Sequence, residues 1–316
     1  MTPSVEFRDV RKRYGAQPVL RGVSFAVARG EIVGLLGPNG CGKTTTLRLI
    51  AGFLSPDAGE VRVCGETVGS GSLAARRRIG YLPEKPPLYD ALRVRDYLDF
   101  VAAAKGLRGA GRSGGVERAM NDYALTGVSR KIIATLSKGY RQRVGLAQAT
   151  LADPEVLLLD EATNGLDALQ IVEARALIRA GSQGRAVIFC SHLMQEVAAL
   201  CDRVLVLHEG RPVELGDASP TPRFELRVAG MSMADAMQRF GAVPGVSEAE
   251  YAAADGVVTV RCTGGTPLVA DALARVATAH GQLLSLQAQR ASLEDRFIAA
   301  MQREGRAQTA ASRAAA

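Results

Sequence analysis

Residues 4–36 alternate between apolar and polar positions and then become continuously apolar, in the segments VEFRDV, VSFAVARGE and IVGLLG. The alternating segments predict strands with one covered face, and the last predicts a short strand buried on both faces at the centre of a sheet. A glycine-rich turn follows, and TTTLRLIAGFL after it has helical spacing. Across residues 88–150 the character changes: ALRVRDYLDFVAAAKGL, VERAMNDYAL and YRQRVGLAQATLA all carry the helical period. A helical insertion is therefore expected inside an α/β pattern. That pattern resumes with the strand EVLLLDE, the helix LQIVEARALIRAG, the strand AVIFCS, the helix MQEVAALC, and the strands RVLVLHEG and RPVELGD. Strands alternating with helices predict a largely parallel sheet covered on both faces.

The stretch GDASPTP at 216–222 is rich in Gly, Pro and Ser/Thr and marks a boundary. Beyond it the pattern reads as strand RFELRV, helix MADAMQRF, strand VSEAEYA, strand GVVTVRC, helix PLVADALARVATAHG, strand LLSLQAQ and helix LEDRFIAAMQ. This βαββαβ order predicts a small ferredoxin-like α+β domain. The expected organisation is an α/β domain over 1–218, with its helical subdomain at about 88–150, then the α+β domain over 219–302. REGRAQTAASRAAA at 303–316 has no core pattern and reads as a disordered or frayed tail.

A length of 316 residues suits two domains and buries a large core without disulfides. At 47% hydrophobic and 22% charged the composition is that of a soluble globular protein. There is no apolar run long enough to span a bilayer and no secretory h-region at the N-terminus. Five cysteines without a CxxC pair point to reduced thiols, and three unclustered histidines argue against a structural zinc site. The net charge of +7 is carried mostly by residues 1–218, because the remainder holds ten Arg against nine Asp and Glu. The basic runs Arg11–Arg13 and Arg76–Arg78 read as solvated faces, and with few aromatics no nucleic acid partner is expected.

Two motifs carry chemistry. Residues Gly37–Thr44, GPNGCGKT, match GxxxxGK[ST] between a buried strand and a helix. Gly37, Gly40 and Gly42 let successive backbone N–H groups face one concavity, and the helix N-terminus adds partial positive charge suited to a polyphosphate. Lys43 can reach the β- and γ-phosphates, and the Thr44 hydroxyl can ligate Mg²⁺, so a nucleoside triphosphate is the expected ligand. In Val156–Glu161 an apolar strand ends in two carboxylates at the edge of the sheet, beside that loop. Asp160 can hold Mg²⁺ directly or through water and Glu161 can polarise an attacking water, which favours hydrolysis over binding alone. Cys41, beside Lys43 and a helix N-terminus, is expected to lean towards thiolate.

LSKGYRQR at 136–143 lies in the helical insertion, with Tyr140 sixteen residues ahead of Val156. Ser137 can cap a helix and donate to a phosphate, and Gly139 exposes a backbone N–H. Together these motifs resemble the ATP-binding cassette (ABC) family over about residues 4–216. The fold this implies is α/β, a P-loop NTPase of ABC type with a helical subdomain, here followed by the small α+β domain. The resemblance implies ATP as ligand, with nucleotide contacts from Gly37, Pro38, Asn39, Gly40, Cys41, Gly42, Lys43, Thr44 and Thr45. It also implies that Ser137 and Gly139 cap the ATP held by an opposite subunit, so that the site is shared across a dimer.

Further positions follow from the same resemblance. Tyr14 matches the aromatic that stacks on adenine. Glu84, in YLPEK, stands where the family usually carries Gln in a loop that senses Mg²⁺ and the membrane partner. Asp167, in NGLD, matches the D-loop, and His192 matches the switch histidine at the γ-phosphate. The chain departs from the family at Lys138 and Tyr140 in place of Gly and Gln, and at Ala162 and Ala168 in place of Pro. LSKGYRQRVGLAQA and IGYLPEKPPLY are similar to bacterial exporter-type ATPases, including gliding-motility, drug and polysaccharide export relatives. The implied partners are a second copy or a paralogous ATPase subunit and separately encoded transmembrane permeases, at the cytoplasmic face of the cell membrane. A non-transport ABC ATPase of translation or DNA repair is the alternative. One P-loop and no sustained heptads weigh against it.

Overall fold

The computed structural model describes residues 2–69, 72–213, 223–244, 246–254, 257–264 and 267–289, together with Phe297 and Ala300. The chain divides into two compact units, Met1–Glu214 and Leu215–Ala316. The 216–222 boundary and the 303–316 tail lie outside the described residues, as does most of the helix read at LEDRFIAAMQ.

The first unit opens with β1 (Val5–Tyr14), β2 (Gln17–Val27), β3 (Ile32–Leu36) and α1 (Lys43–Ile50). Then come β4 (Ala58–Val63), β5 (Glu66–Thr67), α2 (Leu73–Arg77) and β6 (Ile79–Leu82). The helices α3 (Val94–Ala104), α4 (Gly109–Asp122) and α5 (Lys138–Thr150) form the helical insertion. The unit ends with β7 (Val156–Asp160), α6 (Ala168–Gly181), β8 (Ala186–Cys190), α7 (Met194–Leu200), β9 (Arg203–His208) and β10 (Arg211–Val213).

Two sheets result. An antiparallel sheet in the order β2-β1-β4-β5 carries alternating burial, with Phe7 stacked on Phe25 at 4.6 Å between ring centroids. A six-stranded sheet runs β10-β9-β3-β8-β7-β6, parallel except for the edge strand β10. Every residue of β3, β7 and β8 is buried, which is why these strands read as unbroken apolar runs rather than alternations. Their adjacency matters for the site. Pairing of Asp160 with Cys190 and of Leu35 with Cys190 brings the carboxyl ends of all three strands to one edge. Ligands of open α/β sheets bind at such an edge.

Two helix ends differ from the sequence reading. α1 stops at Ile50 because Gly52 takes φ +70° and closes the end: Phe53 N–H donates to the Arg48 carbonyl at 2.9 Å and Gly52 N–H to Leu49 at 3.1 Å. α4 starts at Gly109, earlier than VERAMNDYAL suggested. Its glycine-rich first half is a poor helix former, but Val116, Ala119 and Met120 bury one face and Arg112 pairs with Asp99 of α3. Residues 58–82, whose strands were not anticipated, add β4 to one sheet and β6 to the other.

The second unit contains β11 (Arg223–Ala229), α8 (Met233–Gly241), β12 (Val246–Ala254), β13 (Val257–Gly264), α9 (Pro267–His280) and β14 (Gln282–Gln289). Its antiparallel sheet runs β12-β13-β11-β14, so each βαβ half is split by a strand of the other. This is the ferredoxin-like arrangement. Leu226, Val228, Phe240, Val260 and Leu273 form its core, and Ser232 caps α8 by accepting from Asp235 N–H.

Candidate nucleotide-binding site

After β3 the chain curls through Gly37–Gly42 into α1. Gly42 is the N-cap of α1 at φ +113°, and a Cβ there would come within 2.6 Å of Leu20 Cδ2. At Gly37 a Cβ would overlap the Leu207 carbonyl oxygen, so the loop is pressed against β9. Only glycine satisfies either position. Lys43 is 7% exposed, and its ammonium donates to the carbonyls of Gly37 at 2.7 Å and Pro38 at 3.1 Å. A buried cation is thus held inside the loop by two backbone oxygens, aimed where an anion would be bound. The cavity over this loop has a volume of about 360 Å³. Asn39, Gly40, Gly42, Lys43, Thr44 and Thr45 form its floor, and Gln17, Val19, Glu84 and Glu161 its rim.

The acidic side is built by β7. Asp160 is 3% exposed and lies beside the Thr44 and Tyr81 hydroxyls. Burial raises its pKa, and the negative charges of Glu161 and Glu84 push the same way against Thr44 and Lys43. Burial, with the Asp160 charge, pushes the Tyr81 phenol up to about 12. Glu161 takes φ +49°, a left-handed conformation that disfavours side chains, and its N–H donates to the Cys190 carbonyl at 2.9 Å. That turn points its carboxylate back over the loop, where Oε2 lies 2.7 Å from His192 Nδ1.

Not every residue singled out in the sequence reaches this cavity. Tyr14 is 45% exposed and pairs with Gln17, and it is Gln17 and Val19 of the next strand that form the rim. Ser137 caps α5 by accepting from Tyr140 N–H at 3.5 Å, and Asp167 caps α6 by accepting from Gln170 N–H at 2.9 Å. Ser137 and Gly139 line a separate cavity of about 210 Å³ together with Gln142, Arg143, Leu166 and Gln170. Cys41 corrects an expectation. It is 5% exposed beneath the loop, and burial raises its thiol pKa despite the opposing charge of Lys43. The helix N-terminus and the lysine were legible locally; the burial that outweighs them was not.

A profile of the family described as "ABC transporter" matches residues 20–164. The chain is 38% identical over 216 residues to the "Nod factor export ATP-binding protein I" of Burkholderia orbicola (strain AU 1054), covering 67% of this chain and 70% of that protein. It is 34% identical over 216 residues to the "Bacitracin transport ATP-binding protein BcrA" of Bacillus licheniformis, covering 68% and 70%. The chain belongs to the ABC transporter ATP-binding family. A solved structure titled "Structure of ATP binding subunit of ABC transporter" superposes with a TM-score of 0.61 at 30% identity, covering 76% of this chain and 94% of that one. This ABC ATP-binding subunit binds and hydrolyses ATP, and among its described residues no helix is long and apolar enough to cross a membrane.

Around the ABC site the fold adds contacts that were not read from the sequence. Gln142 of α5 donates to the Ala162 carbonyl at 2.6 Å, tying the helix of Ser137 to the residue after Glu161. Lys138 extends its ammonium over Gly165, where a Cβ would collide with it. Arg143 lies 5.4 Å from the Tyr140 ring centroid and bonds Glu173 of α6 at 2.6 Å. The two residues that depart from the family pattern in this motif thus pack against, or towards, the segment after β7. Among the described residues no group of three or more His, Cys, Asp or Glu is placed to hold a metal on its own. Thr44 and Asp160 instead offer two oxygen ligands, the partial set suited to Mg²⁺ that is also held by substrate phosphates and water.

Proposed function

We propose that this subunit drives an exporter by pairing with a second copy, or a paralogue, around two ATP molecules, docked on separately encoded permeases at the cytoplasmic face of the membrane. The observation that carries the reading is a division within the chain. Lys43, Thr44 and Glu161 share one cavity, whereas Ser137 and Gly139 line another and contribute nothing to the first. A phosphate-loop site and a helix N-terminus suited to a phosphate cap, held apart in one chain, complete each other across two. The names of the exporting relatives support the direction of transport.

In this reading the backbone N–H groups of Gly40–Thr45 and the Lys43 ammonium bind the phosphates. Thr44 and Asp160 would hold Mg²⁺, with the Glu84 carboxylate a further candidate ligand. When bound, the ion neutralises charge on the β- and γ-phosphate oxygens. Glu161 Oε2 accepts a proton from the attacking water, and His192 keeps that carboxylate oriented and reaches towards the γ-phosphate. Tyr14 contributes to the adenine side and Asp167 holds the start of α6 at the subunit contact. The α+β unit over 219–302 is an appended module, and its described residues form no catalytic constellation.

Glu161→Gln keeps the side chain's shape and removes its basicity. Turnover is expected to vanish while ATP stays bound, and light scattering in ATP and Mg²⁺ should give twice the chain mass. Normal hydrolysis by this variant would refute the assignment of Glu161, and a monomer with ATP bound would refute the pairing.

A further inference from the structure

We infer that Glu196 is a positioning residue that holds the Glu161 and His192 loops in register from beneath, an inference that rests on the roles proposed above. Glu196 is 2% exposed on α7. One of its oxygens, Oε2, accepts from two hydroxyls on two different loops. Thr163, two residues after Glu161, donates through Oγ1; Ser191, one residue before His192, donates through Oγ at 3.1 Å. Ser191 Oγ in turn accepts the Leu193 N–H at 3.1 Å, fixing the backbone just beyond His192. Both hydroxyl residues are buried, at 2% and 1% exposure.

The base of this clamp is rigid. α7 packs on β3, the strand that leads into the phosphate loop, with Val197 and Leu200 fully buried and Val197 so close to Gly34 that a Cβ there would overlap it. β7 and β8 fix only the first residue of each loop, through the Asp160–Cys190 pairing and the Glu161 N–H to Cys190 bond. Beyond that point the 2.7 Å contact between Glu161 Oε2 and His192 Nδ1 depends on how the loops travel, and the shared Glu196 oxygen ties them to one point.

Stability alone does not account for the carboxyl group. Its other oxygen, Oε1, is buried with no hydrogen-bond partner among the described residues. Burying a half-satisfied carboxyl is costly, so the group is kept against its own desolvation penalty. What an apolar side chain cannot do is accept from both loops.

The test compares Glu196→Met with Glu196→Gln in the full chain, with Glu161→Gln as control. Glu196→Met fills the volume without accepting. It leaves the buried Thr163 and Ser191 hydroxyls without their acceptor, so its melting temperature should fall; at temperatures where it is folded, its KM for ATP should stay within about twofold while kcat drops about 10- to 100-fold, the split expected when a supporting contact to a reacting group is lost. Glu196→Gln keeps an acceptor carbonyl for both hydroxyls and should recover most of kcat. Native kcat in Glu196→Met, or an equal loss in Met and Gln, overturns the inference. Should Glu196→Met fail to fold, Thr163→Val and Ser191→Ala each remove one strand of the clamp and should lower kcat several-fold at unchanged KM; native kcat in both overturns it equally. An inactive Glu161→Gln beside an active Glu196→Met refutes the clamp alone, whereas an active Glu161→Gln refutes the site on which it rests.

Discussion

Gly139 separates what the single chain needs from what the proposed pair needs. It is the second residue of α5, and a Cβ on it would lie 3.3 Å from Gln170 Cδ, the far end of a half-buried, flexible side chain. Nothing else crowds the position. Replacing a helical glycine by alanine gains about 0.5–1 kcal/mol of backbone entropy, so Gly139→Ala should melt about 1–4 °C higher in a unit of this size. Gly139→Asp should not destabilise the chain either, because an acidic residue in the first turn opposes the helix dipole favourably. Its effect is reserved for the neighbour. A carboxylate about 4 Å from a phosphate charge costs about 4 kcal/mol at the effective dielectric of a protein surface, which lowers closure of the pair by about a thousandfold. Steady-state hydrolysis, ATP affinity and thermal melting should be read on the same preparation. Expected are an undiminished melting temperature, ATP affinity within about twofold, and hydrolysis reduced at least about a hundredfold. Hydrolysis near the native rate would refute the role of α5. Loss of ATP affinity in step with hydrolysis would instead put Gly139 at its own chain's nucleotide.

Two further outcomes follow from buried titratable groups. Burial lowers the Lys105 pKa from 10.5 to about 8, its ammonium donating to the Ala149 carbonyl at 3.3 Å. Between those values the unfolded chain keeps a proton that the folded chain has released, so this group adds stability as pH rises from 8 to 10.5. Lys105→Met should therefore be more stable than the native chain below pH 8 in urea titrations, with the gap closing by pH 10.5, and a constant gap would show that the ammonium is solvated. Burial raises the thiol pKa of both Cys41 and Cys64, but Cys41 is the more deeply buried, which predicts slower alkylation near neutral pH at Cys41 than at the half-buried Cys64, by mass spectrometry of the nucleotide-free chain. Faster labelling of Cys41 would restore the thiolate reading.

The sequence was most informative where a function is written in contiguous residues. GPNGCGKT, VLLLDE and LSKGYRQR each combine a local backbone requirement with a chemical group, so strand, turn and helix could be read together with the ligand they serve. The split βαβ order of the second unit was legible for the same reason, since its two periods alternate without interruption. Elements that depend on distant partners were not. β4 and β6 are short, and their strand character comes from pairing with β1 and β7. Gln142 and Glu196 look like ordinary polar helix positions until the fold brings Ala162, Thr163 and Ser191 against them. Gln17, the strand partner of Tyr14, was not read as a site residue, although it lines the cavity over the phosphate loop.

In the proposed pair, Ser137 of one chain lies over the phosphate loop of the other. Ser137→Cys and Asn39→Cys, introduced together in the Glu161→Gln chain, test it through a short thiol crosslinker with and without ATP and Mg²⁺, with the Ser137→Cys chain alone as control. The account predicts a covalent dimer of the double variant that requires nucleotide. A chain that stays monomeric at saturating ATP, or that crosslinks within itself, would contradict it.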